Sequence, residues 1–149
     1  MATTVGKERE IETLVQDLIT LERDAIAAYD STIEKLSDSA LSSQIAQFRQ
    51  DHLQHLDVLN KMAAELGIPA PTEGDAKQML TTGKIALAQL MGDKTILKAM
   101  KTNEDDTVTA YSRAVNHPEA VEKSRAFFSK ALADEERHRA WMEQTATAL

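Results

Sequence analysis

The sequence predicts an all-α protein, a bundle of four long helices, and three observations carry that prediction. The chain has 149 residues, enough for one well-packed domain and too few for two. Only 5 Gly and 3 Pro are present, too few turn residues for a sandwich or barrel of short strands. Apolar residues recur at 4-3 spacing through four long stretches, the pattern of helices that bury one face. Residues 1–149 are therefore read as a single domain.

The elements follow from the chain breakers. Gly6 precedes a first periodic stretch from about Lys7 to Leu36, and Ser37-Asp38-Ser39 supplies stop and N-cap chemistry. A second stretch, Ser39 to Leu66, ends at Gly67, a residue suited to the left-handed turn that closes a helix. Ile68-Pro69-Ala70-Pro71 must run extended, because a residue before proline is pushed out of the helical region. Thr72, with Asp75 three residues on, starts a shorter helix through Leu90 that stops near Gly92. That short helix lies in a long crossover between the second and third long helices. The third long stretch runs from Asp93 to about Val115 and is closed by Asn116-His117-Pro118. Pro118 is expected in the first turn of the last helix, which continues to about Thr145. At 1.5 Å per residue such helices are roughly 35–45 Å long.

Charge and composition exclude several functions. A net charge of −7 argues against nucleic acid, whose phosphates call for clustered Lys and Arg. With no cysteine, disulfides, thiolate catalysis and iron–sulfur clusters are ruled out. Met1 to Glu12 contains no apolar core of a secretory signal, and no apolar run reaches the ~18 residues of a membrane span. The expectation is a cytoplasmic protein with no membrane and no nucleic-acid partner.

The predicted core stripes contain charged residues, all at mid-helix. The second helix gives Leu41, Ile45, Phe48, His52, His55, Leu59, Met62 and Leu66. The last gives Val121, Ser124, Phe128, Ala131, Glu135, His138, Met142 and Thr145. The first places Glu22 on its apolar face with Tyr29 two turns on, and the third places Glu104 with Tyr111. An internal repeat relates them: Glu22 and Tyr29 recur as Glu104 and Tyr111 at an offset of 82, and Asp51-x-x-x-His55 recurs as Asp134-x-x-x-His138 at an offset of 83. Two helix pairs so related imply a pseudo-twofold bundle with the polar cluster on its axis. Unpaired charges in a core cost several kcal/mol each, against a net stability of about 5–15 kcal/mol. A bound metal resolves that conflict, and Glu with neutral His suits iron, manganese or zinc.

These residues resemble the ferritin-like superfamily, whose di-iron sites use one Glu from each of two helices and a Glu-x-x-His from each of the other two. Glu22 and Glu104 match the single glutamates, Glu135-x-x-His138 matches one Glu-x-x-His, and His52-x-x-His55 matches the other with His52 at a bridging glutamate position. The resemblance spans nearly the whole chain and is nearest to a rubrerythrin-related bacterial branch. It implies a ferritin-like four-helix bundle whose metal ligands are Glu22, His52, His55, Glu104, Glu135 and His138. Tyr29 and Tyr111 look like the tyrosines found just outside the ligands in rubrerythrin-type members. The implied cofactor is iron, as two ions, with manganese or zinc as alternatives. The implied chemistry is oxidation of Fe(II) or reduction of peroxide or dioxygen, in oxidative-stress or iron metabolism. The implied partners are an external electron donor and a second copy of the chain in a homodimer.

His52 departs from the pattern with a physical consequence. Three carboxylates carry −3, so two divalent ions leave the ligand set at +1 where four glutamates leave it neutral. An oxide, a hydroxide or another anion can balance that charge, or the second ion binds weakly. The departure supports a second reading, a non-catalytic stress or interaction protein with one structural metal such as zinc, or with the site lost. Other polar residues have plainer readings. Asp51 and Asp134 lie one residue off the stripe, near enough to help, but a 100° turn points them elsewhere, and Arg137 and Arg139 read as surface charges. His117 reads as a capping or surface residue, and Met62, Met79, Met91, Met100 and Met142 as core filler.

Overall fold

A computed structural model describes residues 3–72 and 90–149 of the chain. Its helices are α1 (Ile11–Lys35), α2 (Ser39–Leu66), α3 (Asp93–Val115) and α4 (Glu122–Ala148). Among the described residues there is no strand, and the fold is an all-α four-helix bundle. Helix α1 packs along α2 and α3 along α4, with lighter contact from α1 to α3 and from α2 to α4. The expected short crossover helix falls on 73–89, outside the described residues.

Both bounds of α2 and α3 lie where the local signals place them. Asp38 caps α2, its carboxylate accepting from Ala40 N–H at 2.9 Å. Gly67 closes α2 at φ 70°, with Gly67 N–H to Ala64 O and Ile68 N–H to Ala63 O at 3.1 and 3.0 Å, the paired bonds of a Schellman turn. The carboxylate of Asp93, at the start of α3, accepts from Ser37 N–H, Ser37 Oγ and Asp38 N–H, tying the α1–α2 corner to the third helix.

The outer helices differ from expectation at their first turns. Helix α1 begins at Ile11 and not near Lys7, because the preceding residues are committed to other bonds. Gly6 N–H donates to Glu8 Oε1 at 2.7 Å, and His117 Nε2–H donates to Glu8 O at 2.8 Å. Gly6 sits at φ 104°, where a Cβ would run into the Arg113 side chain. The cap on Ile11 N–H is Glu119 Oε1, at 2.8 Å, from the far side of the sequence. Pro118 lies outside α4. It occupies the second position of a turn closed by Ala120 N–H to His117 O at 3.1 Å, and the helix starts only at Glu122. His117, expected as a capping or surface residue, is buried in that corner and also accepts from Glu119 N–H.

The apolar core is divided in two. One cluster gathers Leu14, Leu18, Ile19, Leu59, Ala114 and Phe128; the other gathers Leu36, Ile45, Phe48, Ile96, Met100 and Met142. Each fully buried Leu or Ile contributes about 1.5–3 kcal/mol. The stripes drift at their ends: Leu66 and Val121 are exposed, while Ala63 and Ala146 turn inward. A strict 4-3 pattern has period 3.5, and a straight helix of 3.6 residues per turn slips about 20° per heptad. Met91 is exposed and not core filler, and Trp141 packs edge-on against Phe48 with ring centroids 5.5 Å apart.

Candidate metal centre

Between the two apolar clusters lies a polar layer. Glu22, His52, His55, Glu104, Glu135 and His138 are all 0–1 % exposed, one or two from each helix. The structure thus brings together all six residues singled out in the sequence. They form two overlapping groups whose potential ligand atoms lie within 4.8 Å of one another. One is Glu22, His52, His55 and Glu135; the other is His52, Glu104, Glu135 and His138. Glu135 and His52 are common to both.

Tyrosines cross between the halves. Tyr29 Oη donates to Glu104 at 2.5 Å and Tyr111 Oη to Glu22 at 2.7 Å, each tyrosine serving the glutamate of the other half. Burial beside these carboxylates pushes both phenols up, so both remain donors. Thr107 Oγ1 lies 2.9 Å from Glu104 Oε2 and 3.0 Å from Glu135 Oε2. At the 82-residue offset its counterpart is Ala25, which has no hydroxyl, so the halves differ there as they do at His52 and Glu135.

The aspartates read as pointing away belong to the centre. His55 Nε2–H donates to Asp134 Oδ2 and His138 Nε2–H to Asp51 Oδ2, each at 2.8 Å. Again the pairing crosses, from α2 to α4 and back. Arg137 is exposed, as its reading as a surface charge expects, and from there it lies 2.7 Å from Asp51 and 3.3 Å from Asp134, bridging the two carboxylates. A carboxylate on the outer nitrogen fixes the ring and turns the other nitrogen, Nδ1, into the layer. The repeat itself held the signal, since Asp51 and Asp134 recur with His55 and His138.

Within the layer, burial and the neighbouring charges oppose each other at the glutamates and histidines. Burial alone would push the Glu22 carboxyl up, but His52 and His55 outweigh it and bring it down to about 2. Burial likewise disfavours the imidazolium of His55, yet Glu135 and Glu22 raise its pKa to about 10. His52 is also held well above the usual range by Glu135, Glu22 and Glu104 against its burial. Burial and the charge of Glu135 raise Glu104 to about 7, with His52 opposing. Even so, His52 Nε2 and Glu135 Oε1 are buried with no hydrogen-bond partner. Such orphaned atoms in a dry layer of carboxylates and imidazoles fit a cation, and the donor set suits a divalent transition metal.

Residues 10–117 match the Domain of unknown function (DUF2383). The chain belongs to this family. Comparison of the chain with curated proteins and with solved structures returns no match. The DUF2383 match runs from the turn before α1 past the end of α3, and so contains Glu22, His52, His55 and Glu104; Glu135 and His138 lie beyond it on α4. Among the described residues of this DUF2383 chain, no helix is long and apolar enough to cross a membrane. A cavity of about 360 Å³ opens between α1, α2 and the start of α4, lined by Val15, Val58, Met62 and Phe127 among others. Phe127, one of its lining residues, also packs its ring 6.0 Å from that of His55.

Proposed function

We propose that this DUF2383 chain is a ferritin-like metal-binding protein whose two ion sites share His52 and Glu135. Iron is the ion the reading favours, with manganese and zinc as alternatives. The observation that carries it is the pair of overlapping ligand groups, fully buried and contributed by four helices. Glu22 and His55 would hold one ion, Glu104 and His138 the other. A bound pair of iron ions supplies redox chemistry, the oxidation of Fe(II) or the reduction of peroxide or dioxygen, in iron handling or oxidative stress.

The chain's own residues then have defined tasks. Tyr29 and Tyr111 hold Glu104 and Glu22 in place, each with a proton that stays on the phenol oxygen. Asp51 and Asp134 keep the protons of His138 and His55 on the outer nitrogens, so Nδ1 faces the ions. The apolar clusters above and below exclude water, which strengthens every electrostatic contact inside. The chain contains no cysteine, so sustained reduction would draw electrons from a separate donor.

Aerobic Fe(II) oxidation tests this reading. Wild-type protein should form Fe(III) faster than buffer alone, and Glu135→Ala should fall to the buffer rate while remaining helical by circular dichroism. No acceleration by wild type would remove the redox function. One observation favours the second reading, a non-catalytic protein with a single structural ion: His52 stands where a bridging carboxylate is expected. A single tightly held zinc with no Fe(II) oxidation would establish it.

A further inference from the structure

We propose that His52 bridges the two ion sites through both ring nitrogens, as an imidazolate, in the place of a second bridging carboxylate. The inference rests on the two-ion reading above and names how that centre is joined.

Glu135 shows what a shared residue looks like here. Its Oε1 lies 3.3 Å from His55 Nδ1 and 3.5 Å from His52 Nδ1, while its Oε2 lies 3.5 Å from His138 Nδ1. One oxygen thus faces each ligand group. His52 is divided in the same way: Nδ1 is 2.7 Å from Glu22 Oε2, and Nε2 is 3.5 Å from Glu104 Oε1. The ring is fully buried, and its Nε2 has no hydrogen-bond partner. The rings of Tyr29 and His138 flank it, with centroids 4.6 and 5.2 Å away, so it cannot easily swing to present one nitrogen only.

Charge points the same way. The carboxylates of Glu22, Glu104 and Glu135 carry −3 against +4 for two divalent ions. An imidazolate supplies the missing negative charge from within the protein and needs no outside anion. As the two metal–nitrogen bonds form, the N–H bonds of His52 break and their protons pass to solvent; no electron moves. With metal–nitrogen bonds of about 2.0–2.1 Å, an imidazolate sets the ions roughly 6 Å apart. Two-metal sites joined by shared oxygens hold them about 3.5–4 Å apart. The substitution at position 52 therefore changes the spacing of the centre as well as its charge.

Co(II) is a suitable probe. The full chain is loaded anaerobically with Co(II) and crystallised, and the ion positions are read from anomalous diffraction, for wild type and for His52→Glu. The expected result is two ions roughly 6 Å apart with the His52 ring between them in wild type. In His52→Glu the separation should shrink to about 3.5–4 Å. Two ions less than 4 Å apart in wild type, with His52 on one ion only, would overturn the bridge and leave the two-ion reading standing. Fewer than two ions in the layer would overturn both. Cobalt-edge X-ray absorption of the same samples in solution reads the same distances, should the variant fail to crystallise.

Discussion

Replacing Asp134 tests whether the aspartates outside the polar layer govern what happens inside it. The His55 Nε2–Asp134 Oδ2 bond is 2.8 Å long, and it is the contact that leaves His55 Nδ1 facing Glu22 and Glu135. Losing such a partner costs about 10–100-fold in metal affinity, or about 1.4–2.8 kcal/mol. Asp134→Leu removes the acceptor and should show the full loss. Asp134→Asn keeps an oxygen that can accept from Nε2–H and should lose less. Lys130→Ala is the control, because its pair with Asp134 lies at the surface and such pairs contribute about 0–1 kcal/mol. Asp51→Leu should act equally through His138, and the double variant should lose the product of both factors. The assay is competition for Co(II) against a chromophoric chelator, with urea unfolding to establish that each variant is folded. Wild-type affinity in Asp134→Leu, or an equal loss in Lys130→Ala, would refute the reasoning.

Other predictions concern the metal-free protein. His55 is held up to about 10 from an ordinary 6.5, so its contribution to stability is full below pH 6.5 and is lost as pH rises to about 10. Thermal melts of chelator-treated protein should fall across that interval, and melts of metal-loaded protein should fall less. Tyr111→Phe and Tyr29→Phe each remove a hydrogen bond to a buried carboxyl and should cost about 1.5–3 kcal/mol in urea unfolding. Gly67→Ala should cost about 1 kcal/mol, a purely backbone effect, since φ is 70° and no atom lies within 4 Å of the added Cβ. Loss of metal binding in Gly67→Ala would show that the effect spreads beyond the helix end.

The bundle and the six residues of the polar layer were legible because both depend on local pattern. Asp38, Gly67 and Gly92 mark helix ends with their own backbone or side-chain chemistry: α2 begins and ends beside the first two, and α3 begins beside the third. Glu22, His52, Glu104 and Glu135 sit at mid-helix, where the drift between the 3.5 and 3.6 periods is smallest. What escaped depends on distant residues. The start of α1 is set by Glu119 and His117, more than 100 positions away. The angles of Asp51 and Asp134 on their own helices point them away from the apolar stripe. Each nevertheless reaches the histidine of the facing helix along the flank where α2 meets α4. A helical projection describes one helix at a time and cannot show a contact that crosses between two.

The most direct test of the two-ion centre is metal content per chain, by ICP-MS, on protein purified without chelator and again after anaerobic Fe(II) loading. Two ions per chain are expected after loading, falling to one or none in Glu135→Ala, which removes a residue common to both ligand groups. One ion or none in loaded wild type, or two retained in Glu135→Ala, would contradict a centre built on shared His52 and Glu135.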